Sequence, residues 1–407
     1  MNLTISDFNY ELPNEKIAYF PLEKRDESKL LIYKNQKIQE TIFKSIPNII
    51  QDDSILVFNE TKVVNARLLF KKDTGAEIEI FCLEPAQNIP AVLSLTTKSS
   101  VVWNCYVGNA KRWKEETLQT TFQFENQSIS LFAEKMQIHE SHFEIKFSWQ
   151  PKEFTFSEIL TAYGHVPLPP YIKRKDNNKD IESYQTVYAK YEGSVAAPTA
   201  GLHFTDEVLL DLSKKNIQKE TITLHVGAGT FKPVTKENYK EHLMHAELAE
   251  VSLSTLQSIA NEVNKQIIPV GTTSLRTLES VYWFGVMLIR KHASIQSDVF
   301  IPQHIADEYF DAVYSRKEAI QAVIDYLIQK NSSVLIFKTA IMISPGYKIR
   351  MADAIITNFH QPKSTLLLLV YAFVGEAWKT IYEYALTNNF RFLSYGDSSL
   401  LYLHAKG

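Results

Sequence analysis

Histidines, hydroxyl residues and glycines recur in this sequence at the ends of short apolar runs. α/β enzymes use that arrangement to gather proton-transfer groups and ligand-binding amides in one place. Four segments carry it. SVAAPTAGLHFTDE, residues 194–207, sets Pro198, Thr199, Gly201, Leu202 and His203 just before a helix start. Thr205 can cap that helix, and Asp206 and Glu207 suit its positive end. ITLHVGAGTFKPV, residues 222–234, holds His225 in a β-type run followed by Gly227, Gly229 and Thr230. Glycines there let backbone amides approach polar ligand groups. Lys232 occupies the last position of what would be GxGxxG, so a dinucleotide fold is poorly supported.

IIPVGTTSLRTLES, residues 267–280, places Thr272, Thr273 and Ser274 between a strand and a helix, an anion-friendly turn, with Arg276 and Glu279 three apart on the helix. SPGYKIRMADAIITNFHQPKSTLLLLVYAFVG, residues 344–375, has Asp353 before an apolar strand, Asn358 and His360 after it, and then a hydrophobic helix. A strand, polar turn and buried helix hold a titratable pair rigidly. Taken singly, each segment also fits an ordinary capped turn or a buried core histidine. HLMHAE offers His242, His245 and Glu247 as ligands, but the spacing is not HExxH and no further cluster completes a set. No metal site is expected.

The elements that must position these groups change character along the chain. From about Gly75 to Trp149 the runs alternate and are rich in β-branched and aromatic residues. After Trp149, strand-like ITLHV, IIPVG, VLIF and AIITNF alternate with helix-like DEVLLDLSKKN and LRTLESVYWFG, the pattern of a mixed α/β domain. SILVFN, Ser54 to Asn59, resembles those later strands. The expectation is a larger α/β domain built from residues 1–62 and 155–407, with a β domain inserted at 63–154. Residues 281–340 hold helical patterns with few chemical groups and read as an elaboration.

A chain of 407 residues exceeds what one core usually serves. Hydrophobic residues at 45% and charged residues at 22% are the balance of a folded globular protein. Cys82 and Cys105 stand far apart in sequence with no CxxC, which suits a reducing compartment. The N-terminus lacks the pattern of a secretory signal, and Leu366 to Val374 is about half of the roughly 20 residues a spanning helix needs. A cytoplasmic protein without membrane contact is expected. The net charge of -3 gives no global reason to expect nucleic acid, so RNA contacts would be local: Lys111, Arg112 and Lys114 beside Trp113, or Lys173, Arg174 and Lys175 after Tyr171.

Read together, the segments resemble the S-adenosylmethionine:tRNA ribosyltransferase-isomerase family of queuosine biosynthesis. The likeness runs through most of the chain. It is carried by DFNYELPNEKIAYFPLEKRDESKLL, ILVFNETKVVNARL, GHVPLPPYIKR, SYQTVYAKYEGSVAAPTAGLHFT, TLHVGAGTFKPV, VGTTSLRTLES, DAIITNFHQPKSTLLLLV and RFLSYGDSSLL. It implies a barrel-like α/β domain with an inserted all-β barrel. It also implies transfer of the ribosyl group of S-adenosylmethionine to 7-aminomethyl-7-deazaguanine at the tRNA wobble position, giving epoxyqueuosine and releasing adenine and methionine. S-adenosylmethionine would be a co-substrate, with no further cofactor, and the partner a tRNA with a GUN-type anticodon, bound by a monomer.

Within the matched strings, His225 and His360 are the proton-transfer candidates, Asp353 an orienter or alternate base, and Arg276 the holder of an anionic group. Gly227, Gly229, Thr230, Thr272, Thr273 and Ser274 read as substrate-binding elements. Asn358 joins them, and Pro198, Thr199, Gly201, Leu202 and His203 form one wall. Tyr171, Lys173 and Arg174, in PPYIKR, would meet the tRNA, since stacking and phosphate pairing suit a splayed anticodon. The chain departs from the family pattern in WNCYVGNAKRWK, at Asn65 where proline is expected, in MHAELAEVS, and in extra length around residues 281–340. Transfer to another nucleoside, or RNA binding without catalysis, are the alternatives.

Overall fold

The computed structural model describes residues 3–403 apart from 87–90, 115, 141, 228–233, 235, 263, 264 and 292–298. Its larger sheet has ten strands in the order β15 (Val299–Ile301), β16 (Val334–Thr339), β13 (Glu247–Ser252), β12 (Gln218–Leu224), β3 (Ile55–Asn59), β14 (Ile267–Val270), β17 (Ala354–Asn358), β18 (Ser398–Tyr402), β1 (Lys29–Lys34) and β2 (Lys37–Ile42). β12, β3, β14 and β17 run parallel, and β18 returns antiparallel to β17 while pairing parallel with β1.

The middle strands read as unbroken apolar runs because both of their faces are covered. Every residue of β3, β14, β17 and β18 is buried. Alternation sends Ile55 and Val57 of β3 to one face, where α5 (Leu253–Asn261), α6 (Thr272–Ile289) and α8 (Arg316–Gln329) pack. Further along this face, α9 (Thr365–Val374) and α10 (Ala377–Thr387) cover Leu31, Ile355 and Leu401. Leu56 and Phe58 point the other way, against α4 (Asp206–Lys214) and the turn Phe43–Asn48. Among the described residues no single helix is long and apolar enough to cross a membrane, and α9 and α10 meet at a bend of 113°.

The second sheet has six antiparallel strands in the order β5 (Arg67–Lys71), β6 (Glu77–Pro85), β7 (Ser100–Gly108), β10 (Phe143–Gln150), β9 (Gln127–Ile138) and β8 (Leu118–Phe124). It curls until β5 and β8 approach each other, a nearly closed barrel. Its inward residues, Trp103, Phe147 and Trp149 among them, close over Phe156 of α2 (Phe156–Tyr163). A short parallel ribbon, β4 (Thr61–Val63) with β11 (Tyr191–Ser194), completes the strands. Short helices α1 (Ala91–Leu95), α3 (Asn178–Ser183) and α7 (Ile305–Glu308) lie in the connections. Cys82 and Cys105, distant in sequence, face each other in adjacent strands as buried free thiols.

One expectation is corrected. The α/β part is an open sheet rather than a barrel: its strand order is linear, ending at β15 and β2. Lys37, Gln39 and Glu40 leave β2 largely exposed, as suits an edge strand that must not recruit another. Residues 281–340 extend the α/β part at one edge. They continue α6, add α8 and contribute β15 and β16 to the sheet. α6 and α8 pack so closely that a Cβ at Gly285 would lie 2.1 Å from the carbonyl oxygen of Ala319.

Candidate active site

Parallel strands end on the same side of the sheet, and open α/β sheets bind ligands beyond those C-terminal ends. Here β14 runs into Gly271 and then α6, while β17 runs into Phe359 and His360. Between them lies a pocket lined by Pro198, Thr199, Gly271, Thr272, Thr273, Asn358, His360, Ser364 and Tyr171, with Val226, Thr357, Leu366 and Ser394.

α6 begins in this pocket. Gly271, at φ +90°, allows the sharp entry from β14, and no side chain caps the helix. The first-turn N–H groups of such a helix need partners and favour an electronegative ligand. Ser274 turns its hydroxyl back to the carbonyl of Val270 at 2.9 Å, so it braces the turn. The Thr273 hydroxyl is buried without a partner among the described residues.

Asn358 joins the opposite wall into one chain of hydrogen bonds. The Thr199 hydroxyl donates to its side-chain oxygen at 2.9 Å, and its amide nitrogen lies 3.2 Å from His203 Nε2. Nδ1 of His203 lies 2.8 Å from Ser28 Oγ. Burial first, then the nearby charges of Arg391 and Arg25, lower the pKa of His203 to about 3. The neutral ring then accepts from Asn358 at Nε2 and donates to Ser28 from Nδ1. His360 is likewise buried, its pKa lowered to about 3 by desolvation, with Nε2 2.9 Å from Thr357 Oγ1. Tyr382 holds its backbone N–H at 3.1 Å, and Tyr10 donates to its carbonyl. The result is a rigid, neutral imidazole on the pocket wall.

The remaining predicted residues fall around this pocket in different ways. Arg276 occupies an adjoining recess, donating to Glu247 in an ion pair that replaces the metal arrangement weighed for His242, His245 and Glu247. Among the described residues no group of three such ligands converges. His225 follows β12 but turns its ring toward Thr61, whose Oγ1 is 3.1 Å from Nδ1, and toward Gly193, where a Cβ would lie 2.6 Å from the ring. Its neighbour Val226 is the residue that lines the pocket.

Asp353 sits before β17, five residues from Asn358, or about 17 Å at ~3.3 Å per residue. It pairs with Arg316 at 3.2 Å and accepts from the N–H of Ile267 at 2.8 Å, so it cannot orient His360. Gly201 packs on Tyr188, and Leu202 and His203 also line a groove on the far side of the Asn358 wall. The N–H of Gly227 donates to Glu247 at 3.2 Å. Gly229 and Thr230 lie outside the described residues.

The RNA-facing trio separates as well. Lys173 is exposed, whereas Arg174 grips the buried Asp180 with two bonds of 2.7 Å and stacks 4.2 Å over Phe20. Tyr171 belongs to the pocket wall, its hydroxyl 2.6 Å from Ser394 and its pKa raised to about 12 by burial. Ser28, Thr357 and Ser394 escaped reading from residue type. Their hydroxyls gain meaning only beside His203, His360 and Tyr171, and the resemblance strings around them were the available signal.

A family model described as "Queuosine biosynthesis protein" matches residues 5–401. The S-adenosylmethionine:tRNA ribosyltransferase-isomerase of Rickettsia bellii (strain OSU 85-389) is 38% identical, covering 98% of this chain and 99% of its own. That of Treponema denticola is 38% identical, covering 97% and 99%. A solved S-adenosylmethionine tRNA ribosyltransferase from Thermotoga maritima is 26% identical over 97% of this chain and 99% of its own, with a TM-score of 0.45. By sequence along nearly its whole length, the chain belongs to the queuosine biosynthesis protein family.

Proposed function

We propose that this protein is an S-adenosylmethionine:tRNA ribosyltransferase-isomerase. The observation that carries the reading is the pocket at the ends of β14 and β17, where an uncapped helix start faces the buried neutral imidazole of His360. The sulfonium of S-adenosylmethionine acidifies the neighbouring 5′ carbon. His360 accepts that proton, the C5′ electron pair forms a C4′=C5′ double bond as the C4′–O4′ bond breaks, and O4′ becomes a C1′ carbonyl as the bond to adenine breaks and adenine leaves with a proton on its nitrogen. The aminomethyl nitrogen of 7-aminomethyl-7-deazaguanine then adds at C4′ and loses a proton, the C5′ carbanion so formed attacks C1′ to close the carbon ring, and the resulting oxyanion closes the epoxide on C5′ and expels methionine. Each step is a proton transfer, an elimination, an addition or a displacement, so S-adenosylmethionine serves as a co-substrate and the steps call for no redox cofactor.

Thr272, Thr273 and the first-turn amides of α6 would hold polar atoms of the ligand, with Thr199 presenting an oxygen acceptor because its proton is engaged by Asn358. The wobble base of a tRNA with a GUN-type anticodon enters from solvent, and exposed Lys173 meets the phosphates. In this reading the enzyme works in the cytoplasm as a monomer, and residues 63–154 form an inserted barrel domain.

The deciding experiment incubates the protein with S-adenosylmethionine and tRNA carrying the aminomethyl base, and measures free adenine. Release of adenine is expected, with none from tRNA lacking that base. A folded protein that releases no adenine would reject the proposal. Release with either RNA would shift it to a different acceptor.

A further inference from the structure

Beside the His360 pocket, and sharing Leu366 as a wall, lies a recess that the proton chemistry does not use. Its charged side is the pair Arg276 and Glu247, which are 7% and 6% exposed. Nη1 of Arg276 donates to Glu247, and Nε donates to the carbonyl of Ile341 at 3.2 Å. The other terminal nitrogen, Nη2, is buried with no hydrogen-bond partner among the described residues. A buried guanidinium arm left unpaired is costly, and a ligand carboxylate is the partner its planar fork fits best. Glu247 supplies the opposite charge beside it. Met244, Met342 and Leu369 provide a soft, apolar wall, and His242, His245 and Thr365 add polar groups to the lining.

A cationic fork, a carboxylate and thioether-lined walls together fit a zwitterionic α-amino acid with an unbranched apolar side chain. We infer that this recess is the methionine subsite. It holds the amino-acid end of S-adenosylmethionine, the carboxylate on Arg276 Nη2 and the ammonium toward Glu247, and after transfer it holds the released methionine. The inference rests on the proposed function and deepens it. With the amino acid anchored there, the sulfonium lies near Leu366 and the ribose and adenine extend into the His360 pocket. The Arg276 and Glu247 pair exists before any ligand binds, so the orientation is imposed by charges already in place.

The test is calorimetric, on the whole protein, with three probes: S-adenosylmethionine, its decarboxylated form, and 5′-methylthioadenosine. The wild type should bind the decarboxylated form roughly 10- to 100-fold more weakly than S-adenosylmethionine. Arg276→Gln should abolish that difference and leave 5′-methylthioadenosine binding unchanged. Equal wild-type affinity for the first two probes would overturn the assignment, as would an Arg276→Gln loss as large for 5′-methylthioadenosine as for S-adenosylmethionine. If the variant fails to fold, the wild-type comparison decides alone. Adenine release is read separately. A protein that senses the carboxylate but releases no adenine keeps the subsite and loses the function, and one that turns over while ignoring the carboxylate does the reverse.

Discussion

Asn358 and His203 face each other across 3.2 Å, amide nitrogen to Nε2, and this contact fixes the direction of each hydrogen bond from Thr199 to Ser28. An amide can serve both neighbours because it accepts on one side and donates on the other. A carboxylate of the same shape cannot.

Asn358→Asp should therefore cost adenine release about 10- to 100-fold, the scale of one buried hydrogen bond set against its neighbour. The check is kcat and KM for S-adenosylmethionine together. Unchanged kinetics would remove Asn358 from the working wall.

Acid should unfold the protein through its buried rings. His203, His225 and His360 have pKa values lowered from 6.5 to about 3, 4 and 3 by burial. Between those values and 6.5 the unfolded chain binds protons that the native rings refuse. The stability from neutral rings is complete above pH 6.5 and is lost as pH falls, at about 1.4 kcal/mol per pH unit for each ring. Urea unfolding at pH 7 and pH 5 measures this slope, and His225→Asn should lower it by about one proton's worth. A stability that rises toward pH 5 would contradict the burial argument.

Asp353→Asn should leave turnover within about twofold and stability within about 1 kcal/mol, because its pairing with Arg316 is partly exposed and screened by solvent. Turnover and thermal unfolding of the purified variant decide the point. A large loss of activity would restore Asp353 to the chemistry.

Arg174→Ala should act on folding before it acts on RNA. Its partner Asp180 is 1% exposed, and stripping a buried charge of its partner costs about 3–5 kcal/mol. Lys173→Ala should instead weaken tRNA binding and reduce its salt dependence by about one counterion. Denaturation and filter-binding curves for both variants separate the two roles.

Gly285→Ala should lower stability by about 1–3 kcal/mol by pushing α6 from α8. Thermal unfolding reports it. A neutral result would mean that the two helices have slack.

The strand ends were legible because glycines and hydroxyls after apolar runs mark where chains turn. Pro198, Thr199, Thr272, Thr273, Asn358 and His360 indeed share one pocket. Which end of a strand faces that pocket was not legible. Asp353 precedes β17 and Asn358 ends it, with equal polarity, and the parallel pairing with β14 decides between them. His225 and Val226 differ by one position, and that step exchanged the polar side chain for an apolar one on the pocket wall. That Glu247 pairs with Arg276 was not legible, because the two are remote in sequence. Arg174 looked like an RNA contact because nothing nearby announces that Asp180 is buried.

The pairing of β1 with β18 joins residues 29–34 to residues 398–402 in the interior of the large sheet. A nascent chain emerging from the ribosome thus cannot finish this sheet until residues 398–402 have been synthesised. Strand β1 meanwhile has β2 but lacks its other neighbour, and Asn358 lacks the β18 strand beside it. The six-stranded barrel draws only on residues 67–150, so it has every strand it needs much earlier. Translation therefore delivers the barrel first and the strand beside Asn358 last.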